Sequence, residues 1–234
     1  MPTDALELSA ELESSRKEHR VLNFNIPNRV QRLIINEMPP HNLYLEPFLR
    51  SNSVLQWKRK ARSNIGVSQD PEVVTAAISQ FRSRGYLICG DDAIAFLKSY
   101  RWLHSEGAEL VYCNPPGIDK TNQRESAASY HQYLLDTLKT LPCMVMITGT
   151  WSKLYEHELS SWRSITYMGI DGVQEFLWMN FQKSFALHDY RFVGADFRER
   201  EQLKKKAARW RERLADMPPL ERYALLNALH EFTA

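Results

Sequence analysis

Residues 109–117 read Glu109-Leu-Val-Tyr-Cys-Asn-Pro-Pro-Gly117. Leu110 to Cys113 is a short apolar run of the kind that a parallel strand buried on both faces requires. Asn114-Pro115-Pro116 stops it at once. Each proline lacks an N–H and fixes its own φ, so the turn is stiff and its carbonyls stay free to accept. The side-chain oxygen of Asn114 and the carbonyl of Pro115 could then both accept from one amino group and aim its lone pair at an electrophile. On this tetrapeptide alone, a plain proline turn after a strand is the more economical reading.

Working outward, strands and helices alternate. Val30, Leu33, Ile34 and Met38 have helical spacing, and Pro39-Pro40 ends that helix. Leu43 to Phe48 reads as a strand ending at Pro47, and Asn64 to Val67 as a second. Asp70-Pro71 supplies N-cap and first turn for a helix running to Phe81. Tyr86 to Cys89 is a third strand with a short helix, Ala93 to Tyr100, behind it. After the Leu110–Cys113 strand comes a helix from Ser126 to Lys139, then the wholly apolar strand Cys143 to Thr148. Ser164–Met168 and Glu175–Asn180 can close the sheet as an antiparallel pair. This order predicts an α/β fold with a doubly wound sheet, whose ligands bind outside the carboxyl ends of the strands. Phe48, Ser68, Asp91, Asp92 and Asn114 then share one rim.

Composition narrows the function classes. The chain has 234 residues, net charge +2 and 44% hydrophobic content, ordinary for a soluble globular protein. No run approaches the ~20 apolar residues of a membrane span, and Met1 to Arg20 lacks the pattern of a signal peptide. Cys89, Cys113 and Cys143 are odd in number and set in apolar runs, which predicts buried free thiols and a cytoplasmic setting. No histidine or cysteine pattern suggests a metal. His41 and His188 read as structural. Basic residues crowd Lys58 to Arg62 and Arg198 to Arg213. The tail from Asp196 is helical, with Asp196 as cap and Leu203, Ala207, Trp210 and Leu214 as an apolar stripe. Its other face, Lys204, Lys205, Arg209 and Arg213, is either a phosphate-contacting surface or simply a solvated one. Pro218-Pro219 separates it from a last helix, Leu220 to Phe232. Three segments result: a polar N-terminal stretch (1–20, with a helical pattern from Asp4 to His19), an α/β domain (21–195) and a basic helical extension (196–234).

With these motifs in view, the chain resembles the Dam-like family of DNA N6-adenine methyltransferases, in particular its short prophage- or plasmid-type members. The resemblance is carried by Met38 to Phe48, Asn64 to Val67, Leu87 to Asp91, Glu109 to Pro116, Leu141 to Ile147, Leu154-Tyr155 with Trp162, Glu175 to Asn180, and Leu187 to Arg200, in the family's order. It implies a Rossmann-like methyltransferase sheet with S-adenosylmethionine as cofactor and double-stranded DNA as partner. It further implies catalytic roles for Asn114, Pro115, Pro116 and Gly117, and cofactor contacts from Pro27, Glu46, Pro47, Phe48, Arg50, Asn52, Ser68, Asp70, Asp91 and Asp92. Thr148 to Ser152 corresponds to a substrate-rim loop, though a plain turn serves as well. For Asp91 and Asp92 a helix cap is the alternative.

Several positions depart from the family pattern. Asn25-Ile26-Pro27 stands where the family has Gly-Gly-Lys, and Leu49-Arg50-Ser51-Asn52 replaces a glycine-rich turn. Ser68 occupies the place of an acid, with Asp70 two residues on. Gly117 replaces an aromatic residue that stacks on the flipped base, a role for which Tyr130 and Trp151 are the nearby candidates. Two functions therefore stand side by side. One is a working adenine methyltransferase; the other is a catalytically silent DNA-binding relative, or the partner subunit of an intact methyltransferase.

Overall fold

The protein was studied as a computed structural model that describes residues 27–102, 109–117, 124–194 and 196–233. The polar stretch 1–20, including the helical pattern at Asp4 to His19, lies outside the described residues. So do Asn25 and Ile26.

Helix α1 (Arg29–Asn36) starts at a capping box in which Asn28 and Gln31 satisfy each other's backbone N–H. Strand β1 (Leu43–Glu46) follows, then a single 3-10 turn (Val54–Gln56) and β2 (Ser63–Ser68). Asp70 caps α2 (Pro71–Phe81), as its Asp-Pro signature predicts. Next come β3 (Leu87–Gly90), α3 (Ala93–Ser99), β4 (Glu109–Cys113), α4 (Arg124–Thr140) and β5 (Met144–Thr150). A short α5 (Lys153–Glu158), not foreseen from the sequence, precedes the pair β6 (Arg163–Met168) and β7 (Gln174–Met179).

The strands form one sheet in the order β3-β2-β1-β4-β5-β7-β6. β1 to β5 are mutually parallel, and β7 runs antiparallel between β5 and β6. The fold is the expected α/β, Rossmann-like doubly wound sheet, followed by a C-terminal helical extension. Its first five strands reverse direction of winding between β1 and β4, and that switch point opens a crevice at the carboxyl ends.

Strand periodicity divides the core into two layers. Tyr44, Leu110, Tyr112 and Met146 face Ile34 and Ile35 of α1 and Ala77 and Phe81 of α2. Their alternates Leu45, Val111, Cys113, Val145 and Ile147 face α3, α4 and α5 through Ile94, Leu97, Leu134, Leu135, Leu138 and Tyr155. Truncating one of the fully buried leucines of α4 to alanine costs about 2–5 kcal/mol by transfer plus cavity terms. Cys113 is buried as expected, but Cys89 and Cys143 are only half-buried.

The basic run at 58–62 is not a uniform patch. Lys58 is buried, with Nζ 4.3 Å over the Tyr44 ring and 3.1 Å from Asn64 Oδ1. The apolar surroundings lower its pKa to about 7. A strap of residues 187–192 closes this corner. His188 stacks on His41 at 3.7 Å, and Asp189 accepts from the Arg59 N–H while pairing with Arg191.

The C-terminal helices α6 (Phe197–Asp216) and α7 (Pro219–Thr233) differ from all of this. Asp196 caps α6 as its sequence predicts, accepting from the Glu199 N–H at 2.8 Å. Yet no residue of α6 is buried, and the stripe members Leu203 and Trp210 are exposed. The stripe is therefore not docked on the sheet domain.

Candidate active site at the carboxyl rim of the sheet

Because β1, β2 and β3 are parallel and in register at Glu46, Gly66 and Ile88, the residues that follow each strand emerge together. A cleft of about 360 Å³ opens there, lined by Pro47, Phe48, Leu49, Arg50, Ser68, Gln69, Asp70, Val73, Ala93, Pro116 and Tyr130. That is within the size range of small-molecule sites. Its surface is apolar on the β1, α3 and α4 sides and polar along Arg50 and the loop after β2.

The ten positions assigned to the cofactor separate in space. Pro47, Phe48, Arg50, Ser68 and Asp70 line the cleft. Pro27, Glu46, Asn52, Asp91 and Asp92 do not, and each has other work. The Pro27 carbonyl accepts from Arg32 at 3.0 Å. Glu46 is turned into the core, where one carboxylate oxygen accepts from Tyr44 Oη and the Leu55 N–H, both at 2.9 Å. Burial pushes its pKa up to about 7. Asn52 is held by the Gln31 amide through both its side-chain oxygen and its carbonyl, at 2.9 and 3.0 Å. This draws the turn towards α1 and away from the cleft. Asp92 is the N-cap of α3 and also accepts from Gln69, while Asp91 receives the Asp92 N–H. Asp92 thus fills the helix-cap role that the sequence offered for the pair, and Asp91 does not cap α3.

The loop that replaces the glycine-rich turn has an internal reason for its shape. Leu49 donates its N–H to the Val67 carbonyl at 2.8 Å, extending the β1–β2 ladder by an irregular step. Its side chain covers Gly66, where an added Cβ would sit 2.9 Å from a Leu49 methyl. Leu49 is thus a plug over β2, and Arg50 is the residue left facing outward on the cleft wall.

At β4 the Asn-Pro-Pro turn is presented rather than enclosed. Asn114 and Pro116 are exposed, Pro115 is buried and Gly117 is half-buried. Thr148 on the neighbouring β5 orients the amide, its hydroxyl lying 3.2 Å from Asn114 Oδ1. Tyr112 Oη stands 3.3 Å from the same hydroxyl and can donate to it while Thr148 donates onward. From below, His131 of α4 hydrogen-bonds the Pro116 backbone. Its Nδ1 lies 2.8 Å from Tyr155 Oη of α5. Burial keeps the imidazole pKa below its ordinary value and that of the phenol above, so both stay neutral. No pattern in the sequence marks His131, or Tyr155 as a support of this turn. Thr148 falls in the expected rim loop, and the parallel β4–β5 pair sets it beside Asn114.

Tyr130 and Trp151, the two candidate replacements for the missing aromatic, occupy different places. Tyr130 is part of the cleft wall with Ala93 and Pro116, and its pKa is pushed up to about 12, chiefly by burial. Trp151 follows β5 directly and is 52% exposed. The proposed phosphate contacts Lys204, Lys205, Arg209 and Arg213 all lie exposed on α6. Among the described residues no cluster of three or more metal-ligating side chains occurs, and no helix is long and apolar enough to cross a membrane.

No family model matches the chain, and a search of curated proteins finds no match. Solved structures similar to it include the N-methyltransferase NodS from Bradyrhizobium japonicum, at 8% identity and TM-score 0.49, covering 68% of this chain and 97% of that one. TrmN from Thermus thermophilus has 15% identity and TM-score 0.48, covering 64% and 46%. SMU.472, solved in complex with SAH, has 11% identity and TM-score 0.49, covering 66% and 52%. These are distant likenesses, and the fold is read from the strand order itself.

Proposed function

We propose that the protein is an S-adenosylmethionine-dependent methyltransferase acting on the exocyclic amino group of adenine in DNA. The reading is carried by the adjacency of the cleft to the Asn114-Pro115-Pro116 turn, with Pro116 belonging to both. The cleft suits the cofactor in kind. Pro47, Phe48, Val73 and Tyr130 offer apolar contact to its adenosine, Ser68 and Asp70 offer polar partners for ribose hydroxyls, and Arg50 can meet a carboxylate. When bound, S-adenosylmethionine supplies an electrophilic methyl group on a sulfonium.

The chain's own residues then do the positioning. Asn114 Oδ1 and the Pro115 carbonyl accept the two amino hydrogens, which directs the nitrogen lone pair out of the base plane towards the cleft. S-adenosylmethionine held by Pro47, Phe48, Ser68 and Asp70 would supply the methyl group that this nitrogen accepts. The surplus proton leaves to water. Positioning of this sort can lower a barrier by ~7–11 kcal/mol without a strong base. The exposed basic face of α6 gives a route to duplex phosphates.

A second reading draws on Arg50 and Gly117. A guanidinium on the cleft wall and no ring after Pro116 also suit a silent subunit that binds DNA beside an intact methyltransferase. Incubation with tritium-labelled S-adenosylmethionine and duplex DNA separates the two. Label in N6-methyladenine is the expected result. DNA binding without label, from folded protein, would establish the silent reading instead.

A further inference from the structure

Among the described residues no hydrogen bond or ring contact engages Trp151, although other aromatic side chains of the sheet domain meet in stacked, tilted or edge-on pairs. Its position is set by the strand register. β4 and β5 pair from Leu110↔Met144 to Cys113↔Ile147. One step further, Asn114 meets Thr148, as their hydrogen bond requires. Trp151 follows the last residue of β5, three positions beyond Thr148, and stands 52% exposed at the same carboxyl rim as the Asn-Pro-Pro turn.

The two loops are also fastened to each other. Ser152 caps α5 by accepting the Tyr155 N–H at 3.2 Å. Tyr155 Oη meets His131, and His131 holds the Pro116 backbone. This buried relay fixes the height of the Trp151 loop relative to the Asn-Pro-Pro turn. Tyr130 lines the cleft beside Ala93 and Pro116, whereas Trp151 is not among the cleft-lining residues.

We propose that Trp151 is the stacking platform for the nucleobase, covering the face of a planar ring whose amino group is held by Asn114 and Pro115. An indole offers a wide, rigid π-surface at small entropy cost, and a nucleobase edge carries the donors the turn lacks. Trp151 would thereby set the preference for a base over bare backbone. The proposal rests on the reading of Asn114-Pro115 as an amino-group acceptor.

The test compares affinity for a short oligodeoxyadenylate with that for an abasic oligodeoxynucleotide of equal length and charge. Wild-type protein should prefer the adenylate. Trp151→Ala should reduce that preference by roughly 5- to 150-fold, the worth of a base–aromatic stack. Trp151→Phe should restore most of it, and Trp210→Ala on α6 should leave it unchanged. No preference in wild type, an unaltered preference in Trp151→Ala, or a loss that follows Trp210 would overturn the proposal. Calorimetry with S-adenosylmethionine on the same proteins separates this from the methyl-transfer reading. Cofactor binding with an unaltered adenine preference removes the platform alone. Absent cofactor binding with a Trp151-dependent preference removes methyl transfer and leaves the platform standing.

Discussion

The β1–β3 half of the rim and the β4–β5 half are built in opposite ways. In the first, most of the polar side chains are already used by the fold. Glu46 supports the turn at Val54 and Leu55, Asn52 is bound to Gln31, and Asp70 and Asp92 cap helices. What faces the cleft is mainly ring and aliphatic surface plus Arg50, Ser68, Gln69 and one edge of Asp70. In the second half the groups are propped from behind and left open in front. Thr148 and His131 orient Asn114 and Pro116, yet Asn114, Pro116 and Trp151 remain exposed. An acid near a cofactor site is thus no proof of contact with the cofactor, whereas a supported but uncovered acceptor is poised for a partner.

The contrast predicts that a change at Glu46 should register in stability and one at Asn114 in chemistry. Glu46 has an ordinary pKa of 4.5 when exposed and about 7 in its buried site. As pH rises from about 4.5 to about 7, the unfolded chain releases this proton and the folded chain keeps it. Stability falls through that window and is level above it. Glu46→Gln keeps the acceptor oxygen and removes the titration, so it should be ~3 kcal/mol more stable than wild type at pH 8 and near parity at pH 4. Lys58 acts in a separate window, its burial cost growing as pH falls from 10.5 to about 7. Parallel denaturation curves for wild type and Glu46→Gln across pH would break the contrast. Asn114→Ala should lower methyl transfer by ~100-fold or more, equivalent to ~2.7 kcal/mol, with cofactor affinity and melting temperature little changed. A matched loss of stability would show instead that the turn is structural.

Smaller effects sharpen the picture. Arg50→Gly should weaken S-adenosylmethionine binding ~tenfold, because the guanidinium meets the ligand's carboxylate. Tighter binding would show instead that the guanidinium crowds the cleft and would favour the silent reading. Replacing Lys204, Lys205, Arg209 and Arg213 by alanine should flatten the salt dependence of duplex binding by up to ~0.9 for each phosphate no longer neutralised. An unchanged slope would remove α6 from the DNA interface.

Much of the fold was legible from short-range signals. The apolar runs at Leu110–Cys113 and Cys143–Thr148, the Asp70-Pro71 cap and the Pro39-Pro40 stop mark elements that the structure reproduces within a few residues. The site was legible only in outline. Alternation along β1 puts Glu46 on the Tyr44 face, but its other partner, the Leu55 N–H, comes from the 3-10 turn at Val54–Gln56, which no local pattern announced. Asn52 has a partner 21 positions away in Gln31, and the Pro116–His131–Tyr155 relay joins three separate elements. The tail showed the reverse. Its apolar stripe was legible, but periodicity reports which residues share a side, not whether anything covers that side.

Titration of the purified protein with S-adenosylmethionine by calorimetry, without DNA, bears most directly on the methyltransferase reading. Saturable binding at micromolar affinity or tighter is predicted, because Asn52 is drawn away towards Gln31 and the cleft beside Pro47 and Phe48 stays open. No heat at millimolar cofactor, from protein shown to be folded, would contradict it and leave the cleft without its proposed ligand.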